Sequence, residues 1–446
     1  MPRIPAPILA LPCLAFLSCA LFASCGGAGY EKAVIWTDLP ELAIAVELFD
    51  ARAGGPRVEL AWKADLAEAL GQAGGKNAEA LPSLVVGRGL ESDRFRDRLD
   101  ALDYLIDTGS VKRAAFYPEL LEGGIVGGKR VLLPVSFNLP AIVFRRGEAV
   151  GGAGFTLSLA EMSGPSAAFN AAESGGYAAM GFSPRWRQDF FVAALDSGAA
   201  GSKGASFREG RGAKGARGAA PELAWDAEGL AASISALASW SAKANGQAVL
   251  EDDFAFKYLY APPYRWLKEG RVLYAYMDSS ELFTLSGERK ADLDFRWFAS
   301  HGRVRVSEGS AYAGLPRGAP GRKSAEAFLR WLFSPEAQKA MLERASDTRS
   351  LENSFGIAGG FSSIRLVNEE AFPMYYPELL GHAPQSLALP GPFPDDWRAL
   401  ESGLIGPWAL EAAAAAQSPK PGSPGSLDPS GELAKRLADR QAAARP

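Results

Sequence analysis

The sequence predicts an α/β protein of two domains, and three observations carry that prediction. From Ala33 onward, short apolar runs alternate with amphipathic helical segments, the order that builds a parallel sheet through crossover connections. At 446 residues and 48% hydrophobic composition, the chain is long enough for two cores. The stretch Gly309–Arg344 then sets a loop before two helical segments. Ser324 stands as an N-cap ahead of Phe328, Trp331 and Leu332, which share one helical face. Ser334 caps again, with Pro335 at the first helical position and Glu336 in the first turn, so the helix breaks and restarts there. The same pattern serves core helices of any α/β protein, and it speaks to architecture before function.

In chain order, Pro2–Phe22 is an apolar run with one basic residue, Arg3, that passes into Leu21-Phe22-Ala23-Ser24-Cys25-Gly26-Gly27. It reads as a lipoprotein signal peptide over residues 1–24, cleaved before Cys25, whose thiol would carry diacylglycerol and whose amine would take a fatty acyl chain such as palmitate. A transmembrane helix fits less well, because the run is short and holds Pro5, Pro7 and Pro12. Phe22 departs from the aliphatic or small residue usual at that place. Cys19 is the poorer cleavage point, since it would leave an apolar Ala20-Leu21-Phe22 stub. Residues 25–32 form a tether.

All three cysteines lie in the leader, so the body has none for a disulfide or a thiolate metal site. Only His301 and His382 occur, neither with a partner at ligand spacing, so zinc, and any metal or cofactor, is not expected. A formal charge of -4 with interspersed signs excludes nucleic acid as the natural partner. The Gly-rich basic stretch at 202–217 reads as a solvated mobile loop, with a local anion or membrane contact as the alternative.

In the first domain, strands Ala33–Trp36, Val58–Trp62 and Leu84–Val86 alternate with helices Leu39–Phe49 and Leu66–Leu70. Parallel sheets bind ligands beyond the carboxyl ends of their strands, which nominates Trp36, Thr37 and Asp38, and then Gly87-Arg88-Gly89. Arg130–Val135 is a strand leading to Ser136 and Asn138, where Asn138 either faces a cleft or caps a turn. Trp186 heads a group of aromatics that either stack on ligand or fill the core. Val272–Tyr276 is a buried strand ending in the polar turn Met277–Ser280. Phe295–Phe298, Val304–Val306 and Ala311–Leu315 are expected to finish the first sheet. The Pro-rich loop Pro390–Trp397 leads to a last helix, with Trp397 either in the cleft or anchoring that helix. Beyond Ala416 the tail has too little apolar surface to offset ordering entropy, apart from a terminal helix.

Several segments occur together in one order: "VIWTD" at 34–38, "LPSLVVG" at 81–87, "FYPELLEGGIVGGKRVLLPVSFN" at 116–138, "FKYLYAPPYRWLKEGRVLYAYMDSS" at 256–280, and "LPRGAP" followed by "A-x-x-F-L-x-W-L-x-S-P-E-A-Q" at 325–338. The chain from Val34 to Trp408 thereby resembles the extracellular solute-binding proteins of ABC importers, family 1, which include maltose-type sugar binders. That resemblance implies a two-lobed periplasmic-binding-protein fold of type II, each lobe a mainly parallel sheet flanked by helices. Lobe 1 would comprise 33–138 with 281–345, lobe 2 139–280 with 346–412, and a disordered tail 413–446. The chain would cross between lobes near Asn138 and again near Met277–Ser280. It further implies an extracytoplasmic, lipid-anchored monomer that closes on a sugar or polyol and presents it to ABC permease subunits. In the cleft, Asp38 and Asp278 would accept from hydroxyls, Asn138, Ser136 and Ser280 would donate and accept, Arg88 would donate, and Trp36, Trp186 and Trp397 would stack.

No catalytic constellation is present: there is no G-x-S-x-G elbow, Walker loop or H-E-x-x-H. The pairs Asp252-Asp253 and Asp395-Asp396 leave a glycoside hydrolase as one alternative, although adjacent carboxylates usually point apart and that chemistry needs two facing across a sugar. A surface lipoprotein of the same fold, acting as sensor or interaction partner without transport, is the other.

Overall fold

The structure, a computed structural model, describes residues 30–95, 97–109, 111–148, 154–210, 223–417 and 428–443. The leader with Cys25, residues 211–217 of the basic loop, and 418–427 and 444–446 of the tail lie outside the described residues.

Two sheets organise the chain. The first runs, in spatial order, Phe361–Ser362, Leu133–Phe137, Ala311–Gly314, Leu84–Gly87, Ala33–Thr37, Val58–Trp62. Ala33–Thr37 pairs in parallel with both Val58–Trp62 and Leu84–Gly87, while Ala311–Gly314 and Phe361–Ser362 join antiparallel. Leu84–Gly87 is buried at every position, as a central strand covered on both faces requires. The second sheet runs Ala275–Asp278, Pro140–Arg145, Leu293–Ser300, Arg303–Arg305, Leu387–Ala388. Here the pairings are antiparallel except for Arg303–Arg305 with Leu387–Ala388 and the side pairing of Thr156–Leu157. Each sheet is therefore mixed and not mainly parallel as expected: the first is parallel only around Ala33–Thr37, and the second is mostly antiparallel.

Helices pack where their apolar faces dictate. Leu42–Asp50 buries Leu42, Ala45 and Phe49, and the Phe49 ring meets Phe328 at 5.2 Å and Trp331 at 5.5 Å on the later helix Arg322–Leu332. Ser334 caps Pro335–Asp347 as expected, accepting from Ala337 N–H at 3.2 Å. Ser324 does not cap. Its helix starts at Arg322 after Gly321 at φ +66°, and the buried Ser324 hydroxyl instead donates to the Glu31 carbonyl.

The lobe boundaries differ from those expected. The chain leaves the first sheet at Asn138–Leu139, but it returns at Val306–Ser310 and not at Met277–Ser280. Leu293–Ser300 and Arg303–Arg305 thus belong to the second sheet, and Phe361–Ser362 keeps part of the segment after 346 in the first. The final passage to the second sheet lies between Ser362 and Leu387. Sheet choice for such strands is made by non-local pairing, which their apolar pattern does not encode.

The tail, expected to be disordered from 413 apart from a terminal helix, is helical as far as Gln417 and does form that terminal helix. Gly406–Gln417 is helical, and Pro429–Ala443 forms a helix whose Leu433 is fully buried against the second lobe. Trp225 Nε1 donates to Ser430 Oγ at 2.9 Å, and Arg436 pairs with Glu411 at 3.0 Å. Leu433 and Leu437, one turn apart, supply the apolar stripe.

Candidate functional site between the lobes

The first strand delivers Asp38 to the sheet's carboxyl edge, where Thr37 Oγ1 accepts from Leu39 N–H at 3.0 Å and turns the chain. The Asp38 carboxylate accepts from Arg88 N–H at 3.2 Å, which joins the ends of the two parallel strands. Gly87 makes that approach feasible, since a Cβ there would collide with Asp38 Oδ1 and with Leu66. Beside them lies a cavity of about 650 Å³, bounded in the first lobe by Asp38, Arg88, Glu91 and Tyr312 and in the second by Phe393 and Arg398.

Burial sets the electrostatics of this wall. Asp38 is pushed above its ordinary value by burial, against the opposing Arg88 charge. Glu91 is pushed up to about 7, by burial first and with a smaller contribution from the nearby Asp38 charge. The Tyr312 hydroxyl is raised by burial and then by Glu91, so it stays a neutral donor.

The opposite wall is the Pro390–Trp397 loop. Phe393 stacks on Trp397 with centroids 4.2 Å apart and planes 6° from parallel. Trp397 is only 4% exposed, and its Nε1 donates to Glu308 Oε2 at 2.5 Å. Glu308 in turn faces Arg305, whose guanidinium pairs with Asp196 at 2.9 Å in the interior. Trp397 therefore borders the cavity as a backing plate, and the ring it presents is Phe393.

Polar contacts join the two rims. Glu209 accepts from Ser92 Oγ at 3.2 Å and from Asp93 N–H at 3.1 Å. Arg94 pairs with Asp395 at 2.7 Å, and Arg303 with Glu119 at 3.9 Å. The jaws are closed on one another.

Of the residues nominated from sequence, the structure brings Asp38, Arg88, Gly89 and Trp397 to the cavity and sends the other side chains elsewhere. Trp36 is 2% exposed in the first-lobe core, with Lys63 Nζ 4.3 Å above its ring. Trp186 stacks on Phe254 at 5.5 Å inside the second lobe. Ser136 Oγ donates to the Ala358 carbonyl at 3.0 Å and Asn138 Nδ2 to the Gly359 carbonyl at 2.9 Å. Asn138 Oδ1 accepts from Ser279 Oγ at 2.7 Å, while Asp278 accepts from Ser280 Oγ at 2.7 Å and from Ser307 Oγ at 2.6 Å. Ser307 N–H closes the network on the Asn138 carbonyl at 2.9 Å. These polar groups tie the two crossing segments together, because buried backbone and hydroxyl groups need partners. Short polar side chains at strand ends serve a hinge or a ligand equally well in sequence.

Sequence reading missed Glu91, Phe393 and Arg398. Phe393 and Arg398 flank the nominated Trp397 in the same Pro-rich segment, and Glu91 follows Arg88 by three residues, so position in those loops was the available signal. The acidic pairs considered for hydrolysis have structural employment: Asp252 is held by Arg185 at 3.0 Å and Asp395 by Arg94. Among the described residues, no group of three His, Cys, Asp or Glu is placed to hold a metal, and no helix is long and apolar enough to cross a membrane.

No protein-family model matches the chain, and no curated protein matches it in sequence. Solved structures do match in fold. A cyclo/maltodextrin-binding protein complexed with maltotetraose aligns with TM-score 0.58 at 14% identity, covering 94% of this chain and 99% of that chain. An ABC substrate-binding protein from Listeria monocytogenes in complex with cycloalternan aligns with TM-score 0.57 at 11% identity, covering 93% and 99%. The sugar-binding protein MalE from Xanthomonas citri aligns with TM-score 0.57 at 13% identity, again over 93% and 99%. The chain thus has the two-lobed α/β fold of ABC-importer solute-binding proteins over nearly its whole length, as the sequence resemblance implied.

Proposed function

We propose that this chain is an extracytoplasmic solute-binding protein that encloses a saccharide between its lobes and hands it to an ABC permease, anchored to the membrane by lipid on Cys25. The observation that carries the reading is the cavity of about 650 Å³ between two lobes, lined by an aromatic face and by side chains that accept and donate hydrogen bonds. Hydroxyl arrays need both kinds of partner, and C–H faces of sugar rings pack on aromatic planes such as Phe393. The solved proteins of this fold named above hold or are described as binding sugars, which supports the ligand class. The chemistry required is capture alone: Asp38 accepts, Arg88 and Tyr312 donate, and closure excludes water.

Isothermal titration of the chain against neutral and acidic oligosaccharides, polyols and peptides is the test. Micromolar or tighter binding of at least one saccharide, lost in an Asp38→Ala variant that still folds, is the expected result. Absence of saccharide binding across the panel would refute the reading. The anchor is tested separately, by the membrane partitioning of the full chain and of Cys25→Ser, which should be released.

A further inference from the structure

Four arginines line the cavity, and they divide by employment. Arg94 and Arg303 are spent on the opposing rims, through Asp395 and Glu119. Arg88 and Arg398 are not: among the described residues, neither guanidinium has a carboxylate oxygen within 4.0 Å. They come from opposite jaws, Arg88 from the turn after a first-sheet strand and Arg398 from the helix after the Pro-rich loop. They also converge. A Cβ built on Gly309 would lie 3.2 Å from an Arg398 terminal nitrogen, 3.4 Å from Arg88 Cδ and 4.0 Å from Arg88 Nε, so the Arg398 tip and the Arg88 stem share this turn, while the Arg88 tip reaches on toward Gly359. Gly309 holds φ +81°, and any side chain there would push both aside.

We infer that the solute is an anionic saccharide whose carboxylate or phosphate group is gripped between Arg88 and Arg398, one from each jaw. This deepens the reading above and rests on it. Two like charges drawn together as the jaws close repel each other unless an anion sits between them, so the ligand's own charge completes the closed form. A guanidinium presents a planar fork of donors matched to two oxygens of a carboxylate or phosphate. Neighbouring carboxyls are engaged elsewhere: Glu41 Oε1, which lies with the Arg88 tip beside Gly359, accepts from Ser354 Oγ at 2.7 Å. Asp38 is turned onto the Arg88 backbone N–H, and Glu91 faces backbone N–H groups of its own turn. Phe393, beside them, offers the face for the sugar ring.

The test titrates the chain with three probes of matched size: a digalacturonate, a disaccharide phosphate and neutral maltose. One or both anionic probes should bind at least thirtyfold tighter than maltose, and the stronger of the two names the anion. That preference should fall at least tenfold in Arg398→Gln, whose side chain is exposed, and should persist in the surface control Lys339→Gln. Equal or tighter binding of maltose would overturn the inference and leave the saccharide reading standing. An anionic preference unchanged in Arg398→Gln would also overturn it. No binding of any of the three would overturn the inference, while the saccharide reading beneath it falls only if the wider panel is also empty.

Discussion

The lobes meet on two faces made of opposite materials. On the hinge side, Phe283 of the second lobe stacks on Phe355 at 4.8 Å, and Trp297 meets the first-sheet Phe361 edge-on at 5.6 Å. Phe372 stacks on Phe361 at 5.5 Å, and Tyr376 packs on both Phe283 and Phe355. All of these rings are buried. On the cleft side the contacts are Glu209 with Ser92 and Asp93, Arg94 with Asp395, and Arg303 with Glu119, all at partly exposed rims. Apolar burial is non-directional and strong, so the aromatic face can bear rotation without letting go. Exposed ion pairs contribute about 0–1 kcal/mol each and exchange readily with water. One face holds the protein together, and the other can open.

Three outcomes would sharpen or break that contrast. The largest effect is expected at the hinge, where Phe361→Ala should cost about 3–5 kcal/mol in urea unfolding, the usual range for emptying a buried aromatic site. A loss below about 1 kcal/mol would mean the rings are not what holds the lobes.

Next is Glu91, pushed to about 7 from an ordinary 4.5. Between those values the folded chain holds a proton that the unfolded chain has released, so stability should fall as pH rises from about 4.5 to 7 and level off above. Glu91→Gln should remove that slope and gain at most about 3 kcal/mol at pH 8, read from unfolding at pH 5 and pH 8. An unchanged slope in the variant would place the cost elsewhere, and Glu401, raised to about 8, would be next to test.

The smallest change in stability is expected from Arg94→Gln, about 1 kcal/mol or less. It should instead enlarge the unliganded molecule in small-angle X-ray scattering, by favouring separated jaws. A loss as great as that of Phe361→Ala would erase the difference between the faces.

The local signals were legible for local reasons. The parallel strands ending in Thr37 and Gly87 placed Asp38 and Arg88 at a sheet's carboxyl edge, and the structure puts both on the cavity. Ser334-Pro335 marked a helix start that the structure reproduces. The failures are as instructive. Trp36 looked like a stacking residue because aromatics at strand ends can be one, yet alternation sends it into the core beneath Lys63. Trp397 was singled out and Phe393 passed over, although the smaller ring faces the cavity and the larger one backs it.

Periodicity, caps and turn residues act over a few neighbours, so the chain's own order suffices to announce strands, helices and the α/β class. Which sheet Leu293–Ser300 joins, where the chain returns between lobes, and whether Asn138 and Asp278 meet a solute or each other's loops are settled by contacts far apart in sequence, 29 positions for Asp278 with Ser307 and 141 for Asn138 with Ser279. Those contacts compete on packing and hydrogen-bond satisfaction across the whole molecule, and no short pattern records the winner.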